Sequence, residues 1–400
     1  MDGVWMGLVL VSYLMGYAVQ ISIIAERYSL EEPPTNRSLY IVFFLLPHLL
    51  AGLKNLQYHH REAEEEEGEE GMTGWLLHIL LLPFSPLIRL GRALKFGLRE
   101  KENWEDGIRF LDEMVTLGML RLFEVFLGDA PTLTMLVRDD VWGRSADWAV
   151  QTNGPQMGTG CGPMCAVGQE SPISFWTVFR MLFIVSRMAL SMTFYLVMVK
   201  RLQRLGAPAQ IQHCRRGKRK QGPALTRASR FSSLYSAHFF FIGSRIMGYS
   251  MVSAAWGPWV YLIVGGHWLL NIGWHLITVV NSKGISPTRS VSSLVMGGVW
   301  LISLTNEQGG RQLGRFILYY ALAFTESVVC GFLWNMAMAG SGDFFAVKAP
   351  WALLTVFMIG ILAHMIYYAV CHPGSPSISS RGFLCCSGNR WDPVDEDDRA

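Results

Sequence analysis

Charged residues are scarce in this 400-residue chain: Asp, Glu, Lys and Arg make up 16% of it, against about a quarter in soluble domains. A water-soluble chain of this length would divide into two or three charged-surface cores, and the composition argues against that. Cysteine is also thin on the ground. Seven scattered residues form neither a disulfide framework nor a zinc-ligand pattern. There is no Walker loop, no dinucleotide fingerprint after a strand, no HExxH and no nucleophile elbow. The chain therefore reads as a non-enzyme without cofactor, metal or nucleic-acid partner. Its first apolar segment lacks a basic leader and a small-residue cleavage site, and reads as a retained span.

What is abundant is apolar. Hydrophobic residues are 51% of the chain, gathered in runs of about 20, the length that crosses a hydrocarbon layer of about 30 Å. Fourteen Trp and 13 Tyr suit membrane interfaces. The expected fold is an all-α polytopic membrane protein with about eight spans: Gly3–Ala25, Leu39–Leu56, Phe110–Val137, Pro172–Val199, Ser232–Trp256, Gly257–Val280, Gly314–Ala339 and Pro350–Cys371. Trp75–Leu90 and Val291–Leu304 are too short or interrupted to span, and read as in-plane or re-entrant segments. Pro83 and Pro86 break the first of them.

Basic residues set the orientation. Lys200–Arg230 holds ten Lys or Arg, which places this loop and, by counting crossings, both termini in the cytoplasm. It reads as a topology determinant or as a patch for anionic lipid. Arg138–Ser171 and Glu26–Ser38 are then external. The latter carries the sequon Asn36-Arg37-Ser38, a candidate glycosylation site beside a span. Glu62–Glu70, with seven glutamates, reads as a solvated loop. Cys161 and Cys165 in the Gly-rich segment 151–168 are candidates for pairing in an oxidising space.

The order of elements recurs. Two spans, a short element, a span with a central glutamate and a closing span occur twice. This divides the chain into a first helical repeat (1–199), a basic loop (200–231), a second repeat (232–371) and a tail (372–400). Two repeats of four crossings share one orientation, with a two-fold axis along the membrane normal.

An ionised side chain at mid-membrane costs roughly 2.5–3.5 kcal/mol on insertion scales, so each needs a partner or water. Glu113 and Glu124 lie three turns apart on one helix face, and Arg121 sits at the (i, i+3) spacing for pairing with Glu124. Arg180 and Arg187 share a face of the next span. Arg315 and Glu326 repeat the eleven-residue spacing, and His267, Asn271 and His275 form a polar stripe. These are either buried ion pairs that fix helix register or a polar track along which a lipid headgroup crosses. The other histidines, including His59-His60, read as core residues. Cys385-Cys386, cytoplasmic and beyond the last span, are candidates for palmitoylation.

The segment Met119-Leu-Arg-Leu-Phe-Glu-Val-Phe-Leu-Gly-Asp-Ala-Pro131 resembles the LRLFE-x-FLE-x-APQL signature of the XK-related family, with Gly128 where the family has Glu. Asp129 in this segment joins the charge-pair and lipid-path candidates. Asn306–Arg315 and the Tyr367-Tyr368, His372-Pro373, Cys385-Cys386 series are similar to further family stretches. The family's acidic residues in the first span are missing, and Gln20 is the only strongly polar side chain there before Glu26. The resemblance implies two helical repeats with re-entrant pieces and ATP-independent phospholipid scrambling at the plasma membrane. It further implies phosphatidylserine exposure in apoptosis after caspase cleavage of the tail, and a single-span partner. Asp392-Pro393-Val394-Asp395 is a DxxD sequence of the type effector caspases read. The alternatives are a non-catalytic subunit or trafficking partner of a single-span protein, and a secondary solute transporter, for which Gly265, Gly266, Gly297 and Gly298 would permit broken helices.

Overall fold

The computed structural model describes residues 2–30, 34–65, 84–99, 104–142, 174–205, 227–283, 287–303, 313–339 and 344–368. Cys161, Cys165, Cys385, Cys386, Asp392 and Asp395 lie outside the described residues, as do most of the basic loop and the Arg315 side chain.

All regular structure among the described residues is helical, and the chain is an all-α polytopic membrane protein. Helix α1 is Asp2–Ser29 and α2 is Pro34–Glu65. A short α3, Ser85–Arg99, precedes a long rod. The rod is α4 (Trp104–Glu124), a π-helical turn (Val125–Asp129), α5 (Ala130–Val137) and a second π turn (Arg138–Trp142). Then follow α6 (Phe175–Leu205), α7 (Arg227–Trp256), α8 (Val260–Lys283), α9 (Pro287–Ile302), α10 (Leu313–Ala337) and α11 (Phe344–Ile366).

Six helices are long and apolar enough to cross a membrane among the described residues: α1, α2, α6, α8, α10 and α11. The rod and α7, expected as spans from sequence, fall outside that set, yet they occupy the middle of the bundle. Helix α7 packs against α11, α6, α10 and α5. One apolar core joins the two halves of the chain through Ile184, Met188, Ile246, Trp142, Trp334 and Leu353. The Trp142 and Trp334 rings meet at 5.1 Å, and Trp142 Nε1 donates to Ser250 Oγ at 2.9 Å. The outward faces are apolar instead: Leu262, Leu269, Leu270 and Ile277 of α8 are exposed, as are Ile317 and Phe332 of α10. Such surface is stable against acyl chains, where helices associate by close packing and not by the hydrophobic effect.

Helix directions follow from the contacts. Tyr17 meets Phe44 and His48, while Arg27 lies over Tyr40, so α1 and α2 are antiparallel. Going up α1, Ser12, Gln20 and Arg27 meet Arg121, Asp129 and Asp140 in turn, so α1 and the rod are parallel. Helix α3 lies along the start of the rod, with Arg89 against Glu113 and Gly97 against Phe110. The same directions recur in the second half. Phe241–Tyr319 and Trp256–Leu333 contacts make α7 and α10 parallel, with α8 antiparallel to both and α9 folded back on α8. The described parts of both short segments thus belong to non-crossing helices.

Local chemistry sets the breaks. Gly257 has φ +56°, a left-handed value that turns α7 into α8, and Pro258 follows it. The loop Glu26–Ser38 expected from sequence is much shorter. Both helices reach into it, and Asn36 stands in the first turn of α2. Gly265, Gly266, Gly297 and Gly298 lie inside continuous α8 and α9 and break neither.

Candidate functional site: a ladder of buried charges

The rod carries the charges, and neighbouring helices carry their partners. At one end Glu113 accepts from Arg89 of α3 at 2.9 Å and lies 3.0 Å from Arg92. Arg89 also donates to Asn55 of α2 at 2.6 Å. Two turns on, Arg121 donates to the Val9 carbonyl at 3.0 Å and to Ser12 Oγ at 3.1 Å, both on α1, and lies over the Tyr13 ring. The expected (i, i+3) pair with Glu124 is not formed. The α1 acceptors take the guanidinium instead, and both Glu124 carboxylate oxygens are without a hydrogen-bond partner among the described residues.

Next comes the π turn. Pro131 has no N–H to close the helical ladder there, and the backbone widens to accommodate it. Asp129, at the end of that turn, accepts from Gln20 of α1 and from Arg187 of α6, the latter at 3.0 Å. Arg187 reaches Asp129 across Gly16. A Cβ on Gly16 would stand 2.3 Å from the guanidinium and would push the end of this side chain aside. Gly128 is under similar constraint. Its Cβ would meet the Phe43 carbonyl at 2.9 Å and Pro47 Cγ at 3.2 Å. Pro47 lacks the N–H that would occupy that carbonyl, so the two proline-interrupted helices meet where the rod has no room for a side chain at position 128.

At the far end Arg27 of α1 pairs with Asp140 at 2.6 Å, Arg138 with Asp139 at 2.6 Å, and Arg180 of α6 with Glu26 of α1. Glu113 and Asp140 are 27 positions apart on the rod, about 40 Å at 1.5 Å per residue. The ladder therefore exceeds the hydrocarbon thickness of about 30 Å.

A second cluster lies on α7, α8 and α10. Glu326 accepts from Arg245 at 2.5 Å, from His267 Nδ1 at 2.6 Å and from the Tyr249 hydroxyl at 3.1 Å. Arg245 also donates to the Leu301 and Ala323 carbonyls at 3.2 and 3.3 Å. The stripe on α8 divides: His267 joins this cluster, while Asn271 donates to the Gly297 carbonyl at 3.5 Å and His275 meets Ser293 Oγ at 2.8 Å. Those two groups bind α9 to α8.

The structure thus brings Glu113, Asp129, Arg180, Arg187, His267 and Glu326 into ion pairs, gives Glu124 no hydrogen bond among the described residues, and gives Arg121 neutral acceptors. Sequence reasoning missed Arg89, Arg27 and Asp140, and above all Arg245. The available signal was a lone arginine in the apolar run 231–256, whereas Arg180 and Arg187 marked each other by their shared face. The first span, in which Gln20 is the only strongly polar side chain before Glu26, supplies Val9, Ser12, Gln20, Glu26 and Arg27 to the ladder.

Among the described residues no group of three or more His, Cys, Asp or Glu is placed to hold a metal ion. A protein-family model described as XK-related protein matches residues 4–138 and 207–373. The first stretch includes α1, α2, α3 and almost the whole rod; the second includes α7 to α11. Helix α6, with Arg180 and Arg187, lies between the two matched stretches. The match covers well over half of the chain, and the chain is a member of the XK-related family.

Proposed function

We propose that this protein is a phospholipid scramblase of the plasma membrane, moving lipids between leaflets without ATP. The observation that carries the reading is the ladder of buried charges of both signs along the rod, from Glu113 to Asp140, with α1, α3 and α6 as its other walls. A headgroup that slides along such a ladder exchanges one charged partner for the next, so it never pays the full cost of an isolated charge in hydrocarbon. The acyl tails stay in the bilayer beside the apolar outer faces. Family membership supports the same reading, since the XK-related family includes scramblases.

In this account both termini and the basic loop face the cytoplasm, and a single-span membrane protein accompanies the chain to the surface. Effector caspases cut after Asp395, in the tail segment Asp392-Pro393-Val394-Asp395. Proline holds the peptide extended for a protease cleft, and Asp395 supplies the carboxylate for a basic specificity pocket. Glu396 follows the cut and makes it slow. The test is phosphatidylserine exposure in apoptotic cells that lack other scramblases. Expression of the chain should restore exposure, and Asp395→Ala should abolish the restoration. Full exposure with Asp395→Ala would remove the caspase step. No exposure with the unaltered chain, present at the surface, would remove the scramblase reading in these cells.

A further inference from the structure

Each half of the bundle holds a central glutamate, and their surroundings differ. Glu326 is saturated by Arg245, His267 and Tyr249. Glu124 is 1% exposed, and neither of its oxygens accepts a hydrogen bond among the described residues. Arg121, one turn earlier, is 3% exposed and donates only to neutral acceptors, Val9 O and Ser12 Oγ. An unrelieved buried carboxylate is costly, and a guanidinium at (i, i+3) on the same helix is close enough to relieve it, with Cβ atoms about 5–6 Å apart. The two are nonetheless unjoined.

The remaining polar groups around them do not supply the missing partner. Arg187 of α6 is engaged with Asp129, which also holds Gln20 of α1. Tyr13 and Tyr17 of α1 bond to each other at 2.9 Å. His48 of α2 lies tilted against the Tyr17 ring at 4.7 Å and binds the Phe44 carbonyl through Nδ1. The formal charges of Arg121, Arg187, Glu124 and Asp129 sum to zero, so the site is balanced overall. Arg121 and Glu124 attract each other through space, but neither has an ion-pair partner within 4 Å among the described residues.

We propose that Arg121 and Glu124 together bind the zwitterionic headgroup of a phospholipid, phosphate on Arg121 and ammonium on Glu124; the proposal rests on the lipid-transport reading above. Two carbons separate phosphate from amine in such headgroups, a distance that one turn of helix spans. The phosphate displaces the Val9 carbonyl and the Ser12 hydroxyl, exchanging neutral acceptors for a charged one. The ammonium satisfies the carboxylate, with the Tyr13 and Tyr17 rings close by as cation-binding faces. A glycerol headgroup satisfies Arg121 alone and leaves Glu124 stranded. Phosphatidylserine brings the same phosphate–amine pair with an added carboxylate.

The test is thermal unfolding of the purified full chain with dihexanoyl phosphatidylcholine, dihexanoyl phosphatidylglycerol or free phosphocholine. Half-maximal stabilisation should need about tenfold less phosphatidylcholine than phosphatidylglycerol, the order of effect of one charge-assisted contact. E124Q should remove that difference while still responding to both lipids. Equal response of the unaltered chain to both lipids overturns the proposal, and this comparison stands even where E124Q fails to fold. Retained discrimination in a folded E124Q also overturns it. Free phosphocholine acting as well as the lipid would overturn the assignment to a lipid. Because binding requires no transport, selective stabilisation in a chain that moves no lipid would keep this site and defeat the scramblase reading. Transport without selective stabilisation would do the reverse.

Discussion

Arg187 of α6 and Asp129 at the end of the first π turn form an ion pair at 3.0 Å, with side chains 2% and 0% exposed. Neither charge has solvent to fall back on. Removing one partner leaves the other buried and uncompensated, a loss of about 3–5 kcal/mol. Arg187→Met and Asp129→Leu should each sharply reduce thermal stability and surface expression. The double variant should recover most of the stability, because two apolar side chains replace the pair. A double variant as damaged as the sum of the singles would show that the residues act independently.

The two glycines beside this pair set its geometry. Gly16→Ala places a Cβ where the Arg187 guanidinium lies, and Gly128→Ala presses on the Phe43 carbonyl. The guanidinium is the far end of a flexible side chain and can shift, whereas the carbonyl is backbone. Gly128→Ala should therefore lower the melting temperature more than Gly16→Ala, by an overpacking cost of about 1–3 kcal/mol. Gly128→Glu, which restores the family's residue, should be worse than either. Normal melting of Gly128→Glu would mean that α2 and the rod are not in contact there.

In the second half, the Arg245 fork bridges Glu326 and the carbonyls of Leu301 and Ala323 at once. A lysine keeps the charge but presents a single ammonium group. Arg245→Lys should thus lose stability nearly as Arg245→Met does, while His267→Gln, which preserves a donor toward Glu326, should be mild. Full rescue by lysine would show that charge alone, without the fork, holds α7, α9 and α10 together.

Orientation is open to a direct check. An epitope inserted at Gly158 should be stained on intact cells, and one in the basic loop near Gly217 only after permeabilisation. The reverse pattern would turn the molecule over and put the ten basic residues of Lys200–Arg230 outside.

Much of the fold was legible because lipid imposes a simple rule. Backbone groups must bond within a helix, so an apolar run of the right length announces itself. Family identity was legible at Met119–Pro131, where the signature is dense. The partners of the charges were not legible. Spacing along one helix suggests which residues share a face, and it suggested Arg121 with Glu124. Which neighbour a face meets depends on how helices pack, and Arg121 meets α1. Arg245 has no second charge at helical spacing in its apolar run to mark it, and its partners come from α8, α9 and α10. Gly128 read as a departure from a pattern. Its physical reason, the Phe43 carbonyl freed by Pro47, lies on another helix.

The most direct test of the account is reconstitution of the purified full-length chain into liposomes with fluorescent phospholipids in both leaflets and an impermeant quencher outside. Protein-free vesicles lose about half of the signal, the outer leaflet. Vesicles with the caspase-treated chain should lose nearly all of it, without ATP, and those with the untreated chain should stay near half. Loss stopping at half with the treated chain, in vesicles that contain folded protein, would contradict lipid scrambling as the function of this fold.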